Sequence, residues 1–127
     1  QLLEILPLPP LQQGLLLHTN HNSTHRDPYQ GQTILDLAGT LDTTQLKTAV
    51  NNLLLRHTNL RAAFIYQGLE NPVQIVTQDF EVPWKIHDLS SLAPVEQHMH
   101  LERLLTEDLS QRFDLSKPPL MRFMLIR

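Results

Sequence analysis

The sequence lacks cysteine and has few glycines, which excludes two classes of site. Its 127 residues include no Cys and four Gly. Without cysteine there is neither a disulfide nor a thiolate zinc site, and we expect a cytoplasmic protein. The glycines are scattered at positions 14, 31, 39 and 68. They form no glycine-rich loop that could cradle a phosphate.

Positive charge and long apolar runs are also scarce. Ten Lys and Arg stand against 13 Asp and Glu, for a net charge of −3 without a basic block. Nucleic-acid binding depends on clustered Lys and Arg, so we expect no nucleic-acid partner. No apolar run approaches the ~20 residues that cross a bilayer, so we expect no membrane partner. With 41% hydrophobic and 18% charged residues the chain should fold, as one domain or part of one.

Hydrophobic periodicity predicts alternating helices and strands, and hence the α/β class. A first helix begins at Pro10, and a loop covers residues 19–31. A second helix is capped by Asp42 with Gln45, and a third starts at Ser90 or Ser91 and ends near Gln111. Strands are predicted at residues 33–38, 60–66, 72–77, 82–87 and 120–126, with a hairpin turn at residues 68–71 and the last strand buried on both faces.

The helical patterns also predict which side chains face inward. In the first helix Leu11, Leu15 and His18 fall at helical spacing, with Leu16 and Leu17 beside them, and no inward face is assigned. In the second helix the inward residues are Leu46, Ala49, Val50, Leu53, Leu54 and His57, and in the third they are Leu92, Val95, Met99, Leu105 and Leu109.

Histidines near residue 20 raise the question of a metal site. His18, His21 and His25 with Asp27 could satisfy zinc chemically. They span a helix end and a loop and show no pattern of supporting ligands. We therefore expect no metal site.

Three stretches resemble, in order and spacing, the core motifs of condensation domains from non-ribosomal peptide synthetases. Residues 6–18 are similar to the first motif, in a P-L-Q-x-G form found where a D-configured donor is used. Residues 56–64 read R-H-T-N-L-R-A-A-F and resemble the second motif, R-H-x-x-L-R-x-x-F. Residues 113–122 are similar to the segment F-D-L-x-x-x-P-L-x-R, which precedes the family signature His-His-x-x-x-Asp-Gly.

The resemblance implies a fold like chloramphenicol acetyltransferase, in which two lobes each carry a mixed β-sheet with flanking helices. Residues 1–127 would be the N-terminal, donor-side lobe, truncated before the second lobe and the signature. The intact domain forms an amide bond between donor and acceptor thioesters held by carrier proteins. With the signature histidines beyond Arg127, we expect no catalytic residue in this chain and no activity from the isolated fragment.

The family's roles carry over to particular positions. Arg61 matches the arginine of the second motif that forms a structural salt bridge with the signature aspartate, which this chain lacks. Arg56, His57, Leu60 and Phe64 are the other motif positions. Leu11, Gln12, Gly14 and His18 would line the wall of the donor tunnel. Without the resemblance, the residues alone favour a core or helix-terminal position for His57. They favour a surface position for Arg61.

The implied partners are the upstream donor and downstream acceptor carrier proteins and the C-terminal lobe of the same domain. No cofactor is expected in this lobe, because the 4'-phosphopantetheine arms of the carriers serve as substrate tethers. An epimerisation or cyclisation lobe, or a non-catalytic half-domain that binds carrier proteins, remain alternatives. The apolar final strand predicts self-association of the isolated fragment.

Overall fold

The computed structural model describes residues 1–21 and 26–127, which contain both helices and strands, as expected for a mixed α/β protein. They fall into two compact units, each described below by itself. In chain order the elements are strand β1 (Leu2–Pro7), helix α1 (Pro10–His21), helix α2 (Thr43–Arg56), a 3-10 helix (Thr58–Arg61), strands β2 (Ala62–Ile65), β3 (Val73–Thr77) and β4 (Trp84–His87), helix α3 (Pro94–Ser110) and strand β5 (Phe123–Ile126).

The first unit contains an antiparallel sheet with the strand order β1-β3-β2. It comprises Gln1–Leu8, Thr33–Val82 and Asp114–Met121. The predicted hairpin is confirmed: β2 and β3 pair from Ala62 opposite Val76 to Ile65 opposite Val73. Its turn uses Gly68 at φ 75°, a backbone conformation that glycine adopts without a Cβ clash.

Helix α2 packs in the same unit. Its predicted N-cap is confirmed, because Oδ1 of Asp42 accepts a hydrogen bond from the Gln45 amide at 2.9 Å. The buried residues of the helix are Val50 and Leu54, four apart on one face. Leu54 has no exposed surface, and neither has Ala63 of β2. With Val76, which is 2% exposed, they are the most deeply buried apolar residues of the first unit.

The second unit pairs two parallel strands whose connection runs through a helix. It comprises Pro9–Gln32, Pro83–Phe113 and Arg122–Arg127. Strands β4 and β5 pair from Trp84 opposite Phe123 to His87 opposite Ile126. The Trp84 and Phe123 rings stack with their centroids 4.7 Å apart. Parallel neighbours require a crossover, which α3 supplies in sequence.

Helix α3 begins later than predicted. Its N-cap is Ala93 rather than Ser90 or Ser91, and Pro94 occupies the first helical position. The Ala93 amide donates to Oε2 of Glu96 at 3.2 Å, while Ser90 closes a local turn on Asp88.

Several side chains predicted to face inward are exposed. In α1 the buried residues are Leu16 and Thr19. Helices α2 and α3 carry apolar residues on more than one face, so periodicity located each helix without fixing its buried side. The exposed residues with wrong predictions are Ala49, Leu53 and His57 in and after α2, and Val95 and Met99 in α3.

Two strand predictions differ from the structure. Residues 33–38 belong to no strand, although their sequence alternates as a strand would. The last predicted strand is shorter, because β5 spans Phe123–Ile126, and its residues are half-buried instead of buried on both faces. Among the described residues β5 pairs with β4 alone, and the parallel and antiparallel pairings lie in separate sheets.

Candidate functional site

Arg61 is held where helix α2 turns into strand β2. The helix ends as the His57 amide bonds to the Leu53 carbonyl at 3.0 Å, and the single 3-10 turn follows. Arg61 is the last residue of that turn and immediately precedes β2. The backbone at Arg61 therefore lies between two elements of regular secondary structure and not in a loop.

The Arg61 guanidinium is buried and incompletely satisfied. The residue is 4% exposed. Its Nη1 donates to the Thr77 carbonyl at 2.7 Å and to the Gln78 carbonyl at 3.4 Å, and its Cζ lies 5.7 Å from the centroid of the Phe80 ring. Nε is buried without an acceptor, and no carboxylate pairs with Arg61 among the described residues. A buried charge without a counter-charge is energetically costly.

The other residues of the second motif lie in α2, in the 3-10 helix, between those two helices or in β2. Arg56 ends α2 and His57 is its C-cap, and both side chains are exposed. Leu60 and Phe64 are half-buried. The Phe64 amide donates to the Leu115 carbonyl at 2.7 Å, which joins the second motif to the stretch 113–122.

The start of that stretch is ordered by a carboxylate. Oδ1 of Asp114 accepts hydrogen bonds from the Ser116 hydroxyl at 2.6 Å and the Ser116 amide at 3.1 Å, and Oδ2 pairs with Lys117 at 3.0 Å. The Ser116 hydroxyl and then Lys117 stabilise the ionised form, which lowers the pKa of Asp114 to about 2. These contacts close a turn over residues 114–117, which includes Leu115.

The end of the stretch forms a polar cluster that the sequence did not reveal. Nε of Arg122 donates to Oδ1 of Asp108 at 2.6 Å, and its guanidinium lies 4.4 Å from the Phe113 ring centroid. The Gln32 side chain donates to Oδ2 of Asp108 at 3.1 Å. Burial raises the pKa of Asp108, but the hydrogen bonds from Arg122 and Gln32 outweigh it, and the pKa lies below its ordinary value. Arg122 was visible as one charge in an apolar run, but nothing in the sequence identified Asp108 as its partner.

Three of the four residues assigned to the first motif share an exposed face of α1. Leu11, Gly14 and His18 follow each other at helical spacings of three and four, and all are exposed. His18 contacts Tyr29 through Nδ1 and the hydroxyl at 2.8 Å. A Cβ at Gly14 would meet nothing within 4 Å, so packing does not require glycine there. Gln12 faces elsewhere and its Oε1 is buried without a partner in the described chain.

The alternative metal site cannot be assembled from what the structure describes. His25 lies outside the described residues. Asp27 is buried, where Oδ1 accepts hydrogen bonds from the Tyr29 amide at 2.9 Å and the Thr19 hydroxyl at 3.4 Å. Within residues 1–21 and 26–127, no three His, Asp or Glu side chains are grouped as metal ligands would be. No helix in those ranges combines the length and hydropathy of a membrane span.

Curated relatives share about a third of their residues with this chain over nearly all of it. Bacitracin synthase 3 of Bacillus licheniformis is 36% identical over 124 residues, which is 98% of this chain and 2% of the synthase. Bacitracin synthase 1 of the same organism is 34% identical over 127 residues, covering 100% of this chain and 2% of that synthase. The chain therefore spans a small part of these relatives.

Solved structures show the same fold inside longer chains. A four-domain nonribosomal peptide synthetase bound to AMP and glycine superposes with a TM-score of 0.76 at 15% identity, over 100% of this chain and 9% of that one. The starter condensation domain of rhizomide synthetase RzmA superposes with a TM-score of 0.74 at 14% identity. The match covers 97% of this chain and 28% of that one. The predicted fold, which is that of chloramphenicol acetyltransferase, is confirmed. The condensation-domain profile matches residues 3–127, and the chain belongs to the condensation-domain family of non-ribosomal peptide synthetases.

Proposed function

We propose that residues 1–127 are the N-terminal, donor-side lobe of a condensation domain that joins two carrier-bound thioesters through an amide bond. The family match over residues 3–127 supports the assignment to this domain. The 28% share of the starter condensation domain that this chain covers supports its being one part of the domain. The proposed setting is the cytoplasm, in a multimodular synthetase that makes a secondary metabolite.

The observation that carries the proposal is the buried guanidinium of Arg61. In the second motif this arginine bonds to two carbonyls and leaves Nε without an acceptor. The aspartate of a His-His-x-x-x-Asp-Gly signature, placed after residue 127, would supply the missing carboxylate. Charge-assisted bonds to arginine are stronger than neutral ones, so this aspartate would also fix the turn that carries the signature histidines. Arg61 is then a positioning residue and no part of the proton transfer.

The chemistry demands positioning more than a strong acid or base. The acceptor amine attacks the donor thioester carbonyl, the carbon–nitrogen bond forms, and the upstream carrier leaves as a thiol. Holding both tethered reactants in attack geometry supplies much of the rate enhancement, and one general base assists the amine. That base is the second signature histidine, which this chain lacks. We therefore expect the isolated chain to be inactive.

The proposed partners follow from the tethered substrates. An upstream donor carrier and a downstream acceptor carrier each deliver a thioester on a 4'-phosphopantetheine arm. The exposed face of α1 with Leu11, Gly14 and His18 is proposed to contact the donor arm, together with Gln12 from the neighbouring face. Leu11 is 74% exposed, which gives the arm an accessible apolar contact.

A condensation assay tests the proposed function. The complete domain of the parent synthetase is mixed with a donor carrier and an acceptor carrier, each loaded with an aminoacyl thioester. Mass spectrometry of the acceptor carrier reads the product. We expect dipeptidyl thioester with the complete domain and none with residues 1–127 or with a domain whose second signature histidine is alanine. A continuation without the signature, or no product from the complete domain, would overturn the proposal.

A further inference from the structure

Helix α3 ends without a glycine cap, and side chains from distant parts of the chain bond to its last carbonyls. The C-cap is Gln111, whose backbone is extended at φ −83° and ψ 106°. Within the described residues no left-handed residue follows the helix, although such a residue closes many helix ends. Because the last four carbonyls of a helix have no partner inside it, their donors must come from elsewhere.

One set of donors comes from the segment that follows α1. The side-chain amide of Gln32 donates to the Leu105 carbonyl at 3.2 Å and to Oδ2 of Asp108 at 3.1 Å. The side-chain amide of Gln30 makes longer bonds to the carbonyls of Asp108 and Leu109, at 3.4 and 3.5 Å. Two glutamines of one short segment are thus bonded to the last turns of α3.

The same segment is joined to helix α1. Oδ1 of Asp27 accepts hydrogen bonds from the Tyr29 amide at 2.9 Å and from the hydroxyl of Thr19 in α1 at 3.4 Å. Both Asp27 and Thr19 are buried. Nη2 of Arg112, two residues beyond the end of α3, donates to the Thr19 carbonyl at 2.7 Å. The C-terminal half of α1 is therefore bonded both to residues 27–32 and to the chain just after α3.

The other set of donors comes from the residue before β5. Nε of Arg122 donates to Oδ1 of Asp108 at 2.6 Å, and Nη2 donates to the carbonyls of Asp108 and Gln111 at 2.5 and 2.8 Å. The two oxygens of one carboxylate thus receive donors from Gln32 and from Arg122, and all of these residues belong to the second unit. A glycine cap would satisfy the helix carbonyls without fixing either segment. The observed arrangement also holds the two segments to each other.

We propose that Gln32, Asp108 and Arg122 at this end of α3 form a positioning junction for the condensation reaction. The junction holds α1, the proposed contact of the donor arm, in a fixed relation to β5, after which the signature histidines are proposed to follow. The inference rests on the proposed function, because it gives the junction a task at that same site. A displacement of about 1 Å between reacting groups can slow a reaction about 100-fold. The three are positioning residues, since each acts only through the elements that it holds.

Steady-state kinetics of the complete domain test the positioning role. Gln32→Leu removes both bonds of the glutamine with little change in volume. We expect kcat for amide formation to fall at least about tenfold and KM for either carrier to change less than about twofold, because the reacting groups are displaced while the docking surfaces remain. Gln30→Leu, which removes the two longer bonds, is the milder second variant and should lower kcat less.

The control for lost stability is Val50→Ala, which leaves a cavity beside α2 in the first unit. It should lower the midpoint of denaturant unfolding and leave kcat within about twofold of wild type, since it touches no part of the junction. An unchanged kcat in Gln32→Leu, or an equal fall in Val50→Ala, would overturn the inference.

A double-mutant cycle tests whether the junction acts as one device. Arg122→Lys keeps the positive charge and loses the planar fork of the guanidinium. Because Gln32 and Arg122 act through the same carboxylate, the double variant with Gln32→Leu should lose less activity than the product of the two single losses. Losses that multiply would show two separate supports and contradict the junction.

Amide hydrogen exchange tests the connection without an activity assay. In the complete domain we expect Gln32→Leu to speed exchange at Phe123–Ile126 by about threefold or more relative to Val50→Ala. The described hydrogen bonds of Gln32 go to α3 and not to that strand, so a faster exchange there must pass through the junction. Unchanged exchange in β5 would overturn the inference.

The two proposals can fail separately. A wild-type domain that forms no amide product would overturn the proposed function and the role of the junction with it. A wild-type domain that forms product, with variants equal to it in kcat and in exchange, would overturn the junction alone.

Discussion

Arg122 and Asp108 form a partly buried ion pair that also closes the C-terminal end of helix α3. Their side chains are 15% and 17% exposed. Besides its 2.6 Å bond to the carboxylate, Arg122 donates through Nη2 to the Asp108 carbonyl at 2.5 Å and the Gln111 carbonyl at 2.8 Å. The last carbonyls of a helix have no intrahelical donor and carry partial negative charge, so one guanidinium satisfies both the side chain and the helix end. Because Arg122 immediately precedes β5, the pair fixes α3 relative to the strand that follows it.

Breaking this pair should destabilise the protein far more than breaking a surface pair. We expect Arg122→Ala to lower the free energy of unfolding by about 2–4 kcal/mol, because Asp108 loses its counter-charge and the two carbonyls lose the donor that Arg122 supplies. The matched control is Arg103→Ala on the same helix. Arg103 pairs with Glu107 at 3.6 Å, with both side chains 61% exposed, and its loss should cost about 0.5 kcal/mol or less. Urea unfolding measures both, and equal costs would contradict the assigned role of Arg122.

The same pair predicts a contribution to acid denaturation. Because the pKa of Asp108 is lowered from 3.8 in the folded protein, the unfolded chain binds its proton more readily. The stabilisation is therefore complete above the unfolded pKa and is lost as the pH falls through the folded one. Asp88 and Asp114 also have lowered pKa values, so the comparison with Asp108→Asn is needed to isolate Asp108. We expect the stability difference between wild type and Asp108→Asn to shrink from pH 6 to pH 3, and a constant difference would contradict it.

The sequence was sufficient for several features that are decided locally, although not for the N-cap of α3. The Asp42 cap, the hairpin that joins β2 to β3 and the existence of all three helices depend on residues within a few positions of each other. Short-range chemistry of this kind can be read from one sequence, because caps and turns satisfy their own backbone groups. The motif residues around Arg61 were instead identified by their resemblance to the second motif of the family.

Features that depend on distant partners were not predictable. The alternation at residues 33–38 predicted a strand that the described chain does not form, because a strand requires a neighbour that the pattern cannot name. Arg122 bonds to a carboxylate 14 residues earlier, and no spacing rule links an ion pair between a helix end and a strand start. Val95 and Met99 look like core residues by spacing, yet they are 72% and 64% exposed. In each case the sequence does not tell which other part of the molecule, if any, lies against the residues concerned.

The core of the first unit can be tested on neighbouring leucines of one helix. Leu54 is fully buried, whereas Leu53 is 47% exposed. We expect Leu54→Ala to lower the free energy of unfolding by about 2–5 kcal/mol, because the methyl groups leave a cavity that the sheet fills only in part. Leu53→Ala removes the same atoms with the same change in helix propensity and should cost less than about 1 kcal/mol. Urea unfolding of both variants measures the two losses of unfolding free energy. A smaller loss for Leu54→Ala than for Leu53→Ala would show that Leu54 is not part of the core.

Substitution of Arg61 should change stability much less in the short chain than in the complete domain. In residues 1–127 its guanidinium is buried with no carboxylate partner among the described residues, so desolvation is poorly compensated. Replacing a buried ion by an apolar side chain of similar volume is often neutral or stabilising, and we expect Arg61→Met to change stability by less than about 1 kcal/mol there. Denaturant unfolding of the short chain measures this.

In the complete domain the proposed signature aspartate pairs with Arg61, and Arg61→Met would leave that carboxylate buried without its counter-charge. Breaking such a pair costs about 3–5 kcal/mol, so we expect a loss of that order together with a fall in amide formation. Arg56→Met is the control, since Arg56 lies five residues earlier in the same motif and is exposed. Changing the signature aspartate to asparagine tests the pairing itself: with that substitution present, Arg61→Met should cost little more, because its partner charge is already gone. Additive losses from the two substitutions would show that the buried guanidinium serves another acceptor.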